Sequence, residues 1–446
     1  MTARQRLEGT DGVAAAEPGD AAPARVRDEA SRVRDEADAL LASLATPEGR
    51  ADPYPIFARL RALAPQHRSA SGSILLTRYD DCASVTRNPE YRAQSPAWAD
   101  RVIPGWRDSP GQVATFETML FRDPPDHARL RKLVSGAFTP RKVDSLRGEV
   151  AALADRALDA VADACADGGT ADLQGILAPS LAMPVIGRLV GVPETDWRHL
   201  RASISALLNV VELFTSKKEL AEADAAALAL RRYFADLVAE RRRSPLGDLA
   251  SALVATRDSP DARASGDGSR LTEEELLQTL TFLFMAGVDT MINLLANGTA
   301  ALIAHPAQAE LLRGDHGLAA AAVEEALRYD PPVQFVARVP AADATIGGVP
   351  VPADSLVIAL LGAANRDPAR FTAPDRFDIS RTGPAVLSFG GGIHFCLGAA
   401  LARLQAGVFF PALVNRFPTM QLASPPVRRG VVLRGFAEFL VCARRP

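Results

Sequence analysis

The sequence predicts a mainly helical α+β fold with small β-sheets, and three observations lead to this prediction. Long amphipathic or apolar stretches of helical period dominate the chain from Asp52 onward. Only short β-like runs lie among them, at 73–77, 344–351 and 356–358. One helical stretch, 272–304, is apolar on nearly every side, so we expect it to run through the middle of the protein.

The composition is that of a globular protein with an ordinary core. The 446 residues are 48% hydrophobic and 23% charged, with a net charge of −3. There is no basic excess that would indicate nucleic-acid binding. No secretory signal and no uninterrupted apolar run long enough to span a membrane is recognisable, so a cytoplasmic protein is expected.

The first 45 residues differ from the rest of the chain. They are rich in Ala, Gly, Pro and charged residues, which predicts a partly disordered N-terminal extension. Within them RVRDEA occurs twice, at 25–30 and 32–37, and this spacing could support a short charged helix. Residues 46–446 are expected to form one catalytic domain.

The stretch at 272–304 carries the clearest helix signals. Thr272 and Glu275 fit a capping box, Leu271 and Leu276 fit a hydrophobic staple, and Pro306 follows the end. About 32 residues at 1.5 Å each give a helix of roughly 48 Å.

An AGVDT segment at 286–290 interrupts the apolar pattern of this helix. Gly287 costs about 1 kcal/mol relative to alanine, and Asp289 and Thr290 need partners if they are buried. The threonine hydroxyl can bond back to a carbonyl, and with Gly287 it could open a local bulge of the kind found at functional sites. The alternative is a packing glycine beside a satisfied aspartate.

One of the four cysteines, Cys396, lies in the glycine-rich stretch FGGGIHFCLG at 389–398. None of the cysteines forms a CxxC pair, so neither a zinc site nor a disulfide framework is indicated. A helix follows Cys396, and a helix N-terminus favours the thiolate. The glycines leave room for a large flat ligand, and a single soft thiolate suits an iron held mainly by something else, such as haem. An inert buried cysteine in a tight turn is the alternative.

The same stretch resembles the haem-binding signature of the cytochrome P-450 monooxygenases, and every expected position of that signature is filled. These positions are Phe389, Gly390, Gly392, His394, Cys396 and Gly398. The resemblance implies the cytochrome P-450 fold, with haem b between the long central helix and the Cys-loop helix and with Cys396 as the iron ligand.

Other motifs of the family follow in its order along the chain. Glu325 and Arg328 match the ExxR pair, which joins a meander arginine and braces the cysteine loop, and 363–381 resembles that meander. The resemblance also implies four partners for the haem propionates, namely His127, Arg131, Arg338 and His394.

On the distal side, the resemblance assigns roles to AGVDT. Ala286 and Gly287 would leave room for dioxygen, while Asp289 and Thr290 would deliver protons. Since the chain has no flavin or dinucleotide fingerprint, electrons would come from NAD(P)H through a reductase and a ferredoxin or flavodoxin. Arg131, Lys132, Arg141 and Lys142 could help to dock this donor.

The substrate is expected to be a hydrophobic small molecule from bacterial natural-product biosynthesis, either free or tethered to a carrier protein. Three regions should line its pocket: the loop after Arg92, a lid around 207–214, and parts of the central helix, the 332–336 turn and the C-terminal turn. The candidate lining residues are Trp98, Trp106, Leu207, Val210, Phe282, Met285, Val333, Gln334 and Phe436. Gln334 and Asn209 are the candidate polar contacts. RGFAEFLV near the C-terminus departs from the family's RGLxxLPV, so the sequence does not predict the shape of the pocket wall formed by the C-terminal turn.

Three alternatives remain at this stage. A peroxide-driven enzyme would not need the Asp289–Thr290 pair, and a non-catalytic haem sensor would need neither proton delivery nor a lid. Coupling, desaturation or nitration on the same scaffold is not distinguished from hydroxylation by the sequence.

Overall fold

Helices dominate the structure, a computed structural model that describes residues 24–259 and 271–443. Most of them are amphipathic and pack around one long apolar helix. In the described ranges the α-helices are α1 Ala24–Ser43, α2 Pro47–Ala51, α3 Tyr54–Leu63, α4 Tyr79–Arg87, α5 Pro96–Val102, α6 Pro110–Phe116, α7 Asp126–Ser135, α8 Pro140–Asp144, α9 Arg147–Ala164, α10 Leu173–Leu177, α11 Met183–Val190, α12 Trp197–Leu208, α13 Lys217–Arg243, α14 Leu249–Asp258, α15 Glu273–Ala304, α16 Pro306–Gly314, α17 Ala319–Tyr329, α18 Leu361–Ala364 and α19 Ala399–Arg416.

The strands are short and form small sheets. They are β1 Gln66–Arg68, β2 Ile74–Leu76, β3 Tyr91–Arg92, β4 Ala171–Asp172, β5 Phe335–Pro340, β6 Ala344–Ile346, β7 Val349–Val351, β8 Val357–Leu360, β9 Gln421–Leu422, β10 Val427–Arg429, β11 Gly435–Glu438 and β12 Leu440–Cys442. The largest sheet has the order β1-β2-β8-β5-β3, in which only β2 and β8 are parallel. Strands β6 and β7 form a hairpin, as do β10 and β11, and β12 joins β4 to β9. The mainly helical α+β prediction is confirmed.

Helix α15 is the central helix that the sequence predicts. Its capping box is present: Thr272 accepts from the backbone N–H of Glu275, and the Glu275 side chain accepts from the backbone of Thr272. The helix is long and apolar enough to cross a membrane by length and composition, but most of its apolar stretch is buried inside the protein. It remains α-helical through AGVDT, so no bulge forms there.

The central helix packs against α11, α13, α17 and α19. At the crossing with α19, a Cβ added to Gly298 would collide with the ring of Phe410. This contact lies about three turns after Gly287 on α15 and about three turns after the start of α19. Because Gly298 has no side chain, helix α15, which carries AGVDT, and helix α19, which follows Cys396, can approach each other closely.

The N-terminal helix α1 covers part of the segment for which a disordered extension was expected. Ala37 and Leu41 are buried in a cluster with Phe57 and Leu360. Asp38 also pairs with the buried side chain of His67 at 2.7 Å. The packed unit therefore begins N-terminal to the expected boundary after residue 45, while residues 1–23 lie outside the described residues.

Candidate active site

The cysteine loop is a tight turn that leads directly into α19. The backbone N–H of Cys396 donates to the carbonyl of Phe389 at 3.0 Å, which closes the loop. Gly390 and Gly392 have φ values of 71° and 62°, which is backbone that only glycine adopts without strain. At Gly392 a Cβ would also lie 2.9 Å from the carbonyl oxygen of Thr86 on α4. These two glycines therefore shape the loop itself, whereas a Cβ at Gly398 would meet no atom within 4 Å.

The sulfur of Cys396 receives help from the helix N-terminus, but burial has the larger effect. Burial raises the pKa of the Cys396 thiol, while the backbone N–H groups of Gly398 and Ala399 and the charges of Arg131 and Arg403 act to lower it. The expected contribution of the helix N-terminus is present, because these two N–H groups act in favour of the thiolate, but burial outweighs it. Cys396 is exposed to solvent, yet enough protein surrounds its thiol to raise the pKa. A coordinating metal deprotonates such a thiol outright.

The four residues expected at the propionates come together from three parts of the chain. The rings of His127 on α7 and His394 in the cysteine loop lie 4.3 Å apart between centroids. Arg131 donates to the carbonyl of Phe395 at 2.7 Å. Arg338 on β5 is buried and close enough to both histidines to lower their pKa values.

The electrostatics of this cluster fit a ligand with carboxylates. Burial, together with Arg338, His127 and Arg131, lowers the pKa of His394 to about 3, and Nε2 of this residue is buried with no hydrogen-bond partner in the described part of the chain. Burial lowers the pKa of Arg338 to about 10, with Asp123 opposing the shift. Two arginines and two histidines that crowd together, one of them with an unpaired buried nitrogen, would be stabilised by two anionic oxygens, which would also favour the protonated histidines. The haem expected at Cys396 carries two propionates and would supply them.

The ExxR pair forms the predicted buried ion pair. Arg328 donates to both carboxylate oxygens of Glu325, at 2.7 and 2.8 Å, and both side chains are at most 3% exposed. Arg381, the last residue of the meander, donates to the same carboxylate at 3.2 and 3.3 Å. The expected meander arginine is therefore Arg381.

A buried asparagine connects this cluster to the cysteine loop. Arg328 donates to the carbonyl of Asn365. The side chain of Asn365 accepts from the backbone N–H of Leu387 and donates to Ser388, both at 2.8 Å. Leu387 and Ser388 immediately precede Phe389, so the expected brace runs through Asn365, which the sequence reasoning did not single out.

In the AGVDT segment, the two small residues have different roles. A Cβ at Gly287 would lie 2.7 Å from Cγ1 of Ile186 on α11, so this glycine allows close helix packing. The expectation that Gly287 provides space for dioxygen is therefore wrong, and Ala286 keeps that assignment as a hypothesis. The hydroxyl of Thr290 donates to the carbonyl of Ala286 at 2.6 Å, as expected for a threonine inside a helix.

The aspartate of AGVDT is bonded from outside the central helix. Its Oδ2 accepts from the hydroxyl of Ser205 on α12 at 3.1 Å and pairs with Nη2 of Arg429 on β10 at 3.1 Å. Its Oδ1 is buried and has no hydrogen-bond partner among the described residues.

Several residues predicted to line the substrate pocket instead form core contacts. Trp98 and Trp106 belong to a separate apolar cluster, where their indole N–H groups donate to the Asp354 carbonyl and to Asp100. Gln334 packs against Gly362 and donates to the carbonyl of Pro331, so a substrate hydrogen bond from it is not supported.

The remaining predicted lining residues lie close to the central helix. Leu207, Val210, Met285 and Phe436 are buried in the main core, whereas Phe282 and Val333 are half-buried. Phe436 stacks on the ring of Phe439 at 4.4 Å. Val333 forms a β-bridge with Leu433 of the C-terminal turn. Phe282 and Val333 thus remain the most accessible members of the predicted set.

A cavity of about 370 Å³ lies between residues 205–219, the central helix and the C-terminal hairpin. Residues 205–219 include the predicted lid at 207–214 and are called the lid segment below. Asn209, one of the two predicted polar contacts, lines it, together with Asp289 of the central helix. Across the cavity, Glu212 accepts from three successive backbone N–H groups, those of Val431, Val432 and Leu433, at 2.8–3.0 Å. One carboxylate therefore fastens the lid segment to the C-terminal turn.

The hairpin that carries Arg429 is anchored by a buried ion cluster around Asp330. This carboxylate accepts from Tyr54 at 2.6 Å and pairs with Arg434 at 2.6 Å and Arg428 at 2.7 Å. Arg428 also donates to Asn297 on the central helix. Burial would raise the pKa of Asp330, but the two arginines and the tyrosine hold it below its usual range.

Comparison with known proteins agrees with the fold. The family model for cytochrome P450 matches residues 200–428. Cytochrome P450 monooxygenase PikC of Streptomyces venezuelae is 40% identical over 381 residues, covering 84% of this chain and 86% of the relative. Polyketide biosynthesis cytochrome P450 PksS of Bacillus subtilis is 36% identical over 403 residues, covering 87% of this chain and 95% of the relative.

A solved structure of P450BioI in complex with hexadec-9Z-enoic acid ligated acyl carrier protein is also similar. It superposes with a TM-score of 0.80 at 34% identity, covering 89% of this chain and 100% of that one. The chain belongs to the cytochrome P450 family. Its relatives are monooxygenases, several of them from bacterial biosynthesis, and the family's cofactor is haem iron.

Proposed function

We propose that the chain is a haem-thiolate monooxygenase that uses dioxygen to oxidise, most simply to hydroxylate, a hydrophobic small molecule in bacterial natural-product biosynthesis. The observation that carries this proposal is the cysteine loop beside a cluster of two arginines and two histidines, in which Nε2 of His394 has no hydrogen-bond partner among the described residues. That arrangement suits a cofactor with one ligand position for sulfur and two carboxylates. The biosynthetic relatives support the substrate class.

The haem, when bound, would supply the activation of dioxygen and the oxidation of a substrate carbon. Cys396 would ligate the iron, and its thiolate would donate electron density to it. His127, Arg131, Arg338 and His394 would hold the propionates with charge-assisted hydrogen bonds. The Glu325 cluster would keep the loop in place through Asn365.

The chain's own contribution to the chemistry would be proton delivery and the exclusion of water. Asp289 would take up protons at its carboxylate, and Thr290, whose hydroxyl already donates to Ala286, would accept a hydrogen bond at the same oxygen. The lid fastened by Glu212 would keep bulk water from the substrate.

Electrons would come from NAD(P)H through a reductase and a ferredoxin or flavodoxin in the cytoplasm. Lys132, Arg141 and Lys142 are exposed, and Ile393 and Phe395 in the cysteine loop expose 44% and 41% of their surface. A basic surface with an apolar centre suits an acidic donor protein.

The test is an optical titration of the purified ferric protein with apolar natural-product precursors, both free and attached to an acyl carrier protein. Displacement of the water ligand from a thiolate-ligated haem would give a low-spin to high-spin shift, and we expect it for at least one member of the panel. The carrier-bound forms are included because P450BioI was solved with an acylated carrier protein. A protein that purifies with haem but shows no thiolate spectrum would contradict the proposal.

A further inference from the structure

The cavity beside the central helix has a polar wall, which an entirely apolar substrate would not use. Its volume of about 370 Å³ lies within the range of small-molecule sites, roughly 300–1,000 Å³. The charged side chains that line it are Arg50, Arg428, Arg429, Glu212, Glu219 and Asp289. Three of them are cations and three are anions, so the charges of the wall balance.

Most of these charges already have partners within the protein. Arg429 pairs with Oδ2 of Asp289 at 3.1 Å. Glu212 accepts from three backbone N–H groups, and Glu219 accepts from the backbone N–H and the hydroxyl of Ser216, both at 2.7 Å. A ligand in the cavity therefore meets few charges that need a counter-ion.

Three of the lining side chains have hydrogen-bonding capacity left. Oδ1 of Asp289 is buried and has no hydrogen-bond partner among the described residues. The side chains of Arg50 and Asn209 also make no hydrogen bond to any other part of the chain that the structure describes. The aspartate oxygen accepts, the guanidinium donates, and the amide does both.

A neutral hydroxyl group is the ligand chemistry that fits this set. Each hydroxyl donates one hydrogen bond and accepts others, so a group with several hydroxyls serves both Asp289 and Arg50. A carboxylate could not donate to the buried oxygen of Asp289, and an ammonium group would leave Arg50 without an acceptor. Neither charged group would find a net opposite charge in the wall.

The polar cavity adjoins the apolar part of the predicted substrate pocket. Leu433 lines the cavity and forms a β-bridge with Val333, one of the most accessible members of the predicted apolar set. Leu208 and Phe214 line the cavity from the lid segment. A hydroxyl-bearing group in the cavity can therefore be joined to an apolar portion beside it.

The walls hold this arrangement without any movement of the fold. Glu212 fixes the lid segment to the C-terminal turn, and the pairing of Arg428 with Asp330 fixes the hairpin. Arg434 donates to the backbone carbonyl of Arg50, which ties the segment that carries this residue to the same hairpin. The hydrogen-bonding groups of the cavity are thus preorganised for a ligand.

We propose that this cavity binds a neutral, polyhydroxylated group such as a sugar ring, and that the substrate carries this group beside its apolar part. The inference deepens the monooxygenase function proposed above and rests on it. The hydroxyl groups would bond to Asp289, Arg50 and Asn209, while the ion pair of Asp289 with Arg429 stays intact. A free sugar presents the same chemistry, so the experiments separate the two sources.

The first test is calorimetric titration of the full-length haem protein with three compounds that share an octyl chain or its acid. These are octyl β-glucoside, octanoate and octyltrimethylammonium, each kept below its micelle concentration. We expect octyl β-glucoside to bind at least tenfold more tightly than either charged compound. Equal affinity for all three, or a preference for one of the charged compounds, overturns the proposal.

The second test locates the sugar with two variants. Arg50→Met and Asn209→Leu each remove one hydrogen-bonding side chain that has no partner to lose among the described residues, so both should fold. We expect each to weaken the binding of octyl β-glucoside at least fivefold and to change that of octanoate by less than twofold. Asn415→Leu is the matched control, since Asn415 bonds to His316 and does not line the cavity, and it should stay within twofold. Unchanged binding of octyl β-glucoside in both variants, or equal weakening of octanoate, contradicts the proposed site.

Methyl β-glucoside separates the two sources of the hydroxyl groups, because it carries the same sugar without the apolar chain. We expect it to bind at least tenfold more weakly than octyl β-glucoside. Equal affinity of the two glucosides would identify a free sugar as the ligand and overturn the assignment to the substrate.

Failure of the underlying function would look different. A reduced carbon monoxide complex without the red-shifted Soret band of thiolate ligation would refute the monooxygenase function, whatever the calorimetry shows. A normal Soret band together with no preference for octyl β-glucoside would refute only the sugar site.

Discussion

The fastening of the lid by Glu212 leads to a quantitative prediction. Hydrogen bonds to a charged group contribute about 1.5–3 kcal/mol each, and Glu212 makes three of them to the C-terminal turn. In Glu212→Gln the amide oxygen still accepts, but the amide nitrogen faces an N–H donor and the charge is gone. We expect the closed lid to lose about 2–4 kcal/mol. At 1.4 kcal/mol per factor of ten, lid opening becomes roughly 30-fold to 1,000-fold more favourable.

The assay is stopped-flow binding of an azole to the ferric haem, followed in the Soret band. Econazole is bulky, so we expect its entry to need lid opening, whereas imidazole is small and serves as the reference ligand. We expect Glu212→Gln to raise the association rate of econazole at least tenfold and that of imidazole by less than twofold. Glu219→Gln is the matched control, since Glu219 lines the same cavity but caps its own helix through Ser216.

Two outcomes would refute this reasoning. An unchanged econazole rate in Glu212→Gln would show that the three hydrogen bonds do not restrain the lid. Equal acceleration of both ligands, or the same acceleration in Glu219→Gln, would show a general loosening of the protein instead of a specific fastening.

Three further predictions concern the buried groups around the site. Glu325→Gln should destabilise the protein by about 3–5 kcal/mol and reduce haem retention, because Arg328 is left buried without its counter-charge; a change under 1 kcal/mol in urea unfolding would contradict this. Gly287→Ala should lower the free energy of unfolding by about 1–3 kcal/mol, because the new methyl group overpacks against Ile186. When Ile186→Ala is already present, adding Gly287→Ala should change the free energy of unfolding very little. If the effects of the two substitutions are instead additive in the double variant, the proposed contact is contradicted. Because the folded-state pKa of Asp330 lies below its unfolded value of about 3.9, this group stabilises the protein above that pH and loses its contribution in acid. Asp330→Asn should therefore lower the melting temperature at pH 7, and the melting temperature of this variant should fall less on acidification than that of the wild type. An equally steep fall in both proteins would refute the stabilising role of the Asp330 carboxylate.

The sequence predicts the central helix and the cysteine loop well because their signals are local. The capping box of Thr272 and Glu275 and the positive φ values of Gly390 and Gly392 depend on neighbours a few residues away. Glu325 and Arg328 are one helical turn apart, so their pairing is also readable from spacing.

The wall of the substrate cavity is less well predicted because apolar composition does not say which way a side chain points. Trp98 and Trp106 are apolar enough for a pocket, yet both belong to one apolar cluster apart from the main core. Gln334 is a polar residue near the site, but it bonds within the buried turn. Such choices depend on tertiary packing that a single sequence does not contain.

Glu212 and Arg429 were missed for a related reason. Each bonds to a segment far away in the chain, separated by about 219 and 140 residues respectively. The sequence does contain a signal for Glu212, since this residue is the one acid in the largely apolar run LLNVVELF at 207–214. No comparable signal marks Arg429, because arginines are abundant in this sequence.

The central claim is that Cys396 ligates a haem iron as thiolate, and the reduced carbon monoxide spectrum tests it most directly. The wild-type protein should show the red-shifted Soret band of a thiolate-ligated haem, and Cys396→Ser should lose it. Cys442→Ser, which alters a half-buried cysteine whose thiol contacts the carbonyl of Gln421, should keep the band unchanged. A red-shifted band that survives in Cys396→Ser would contradict the account.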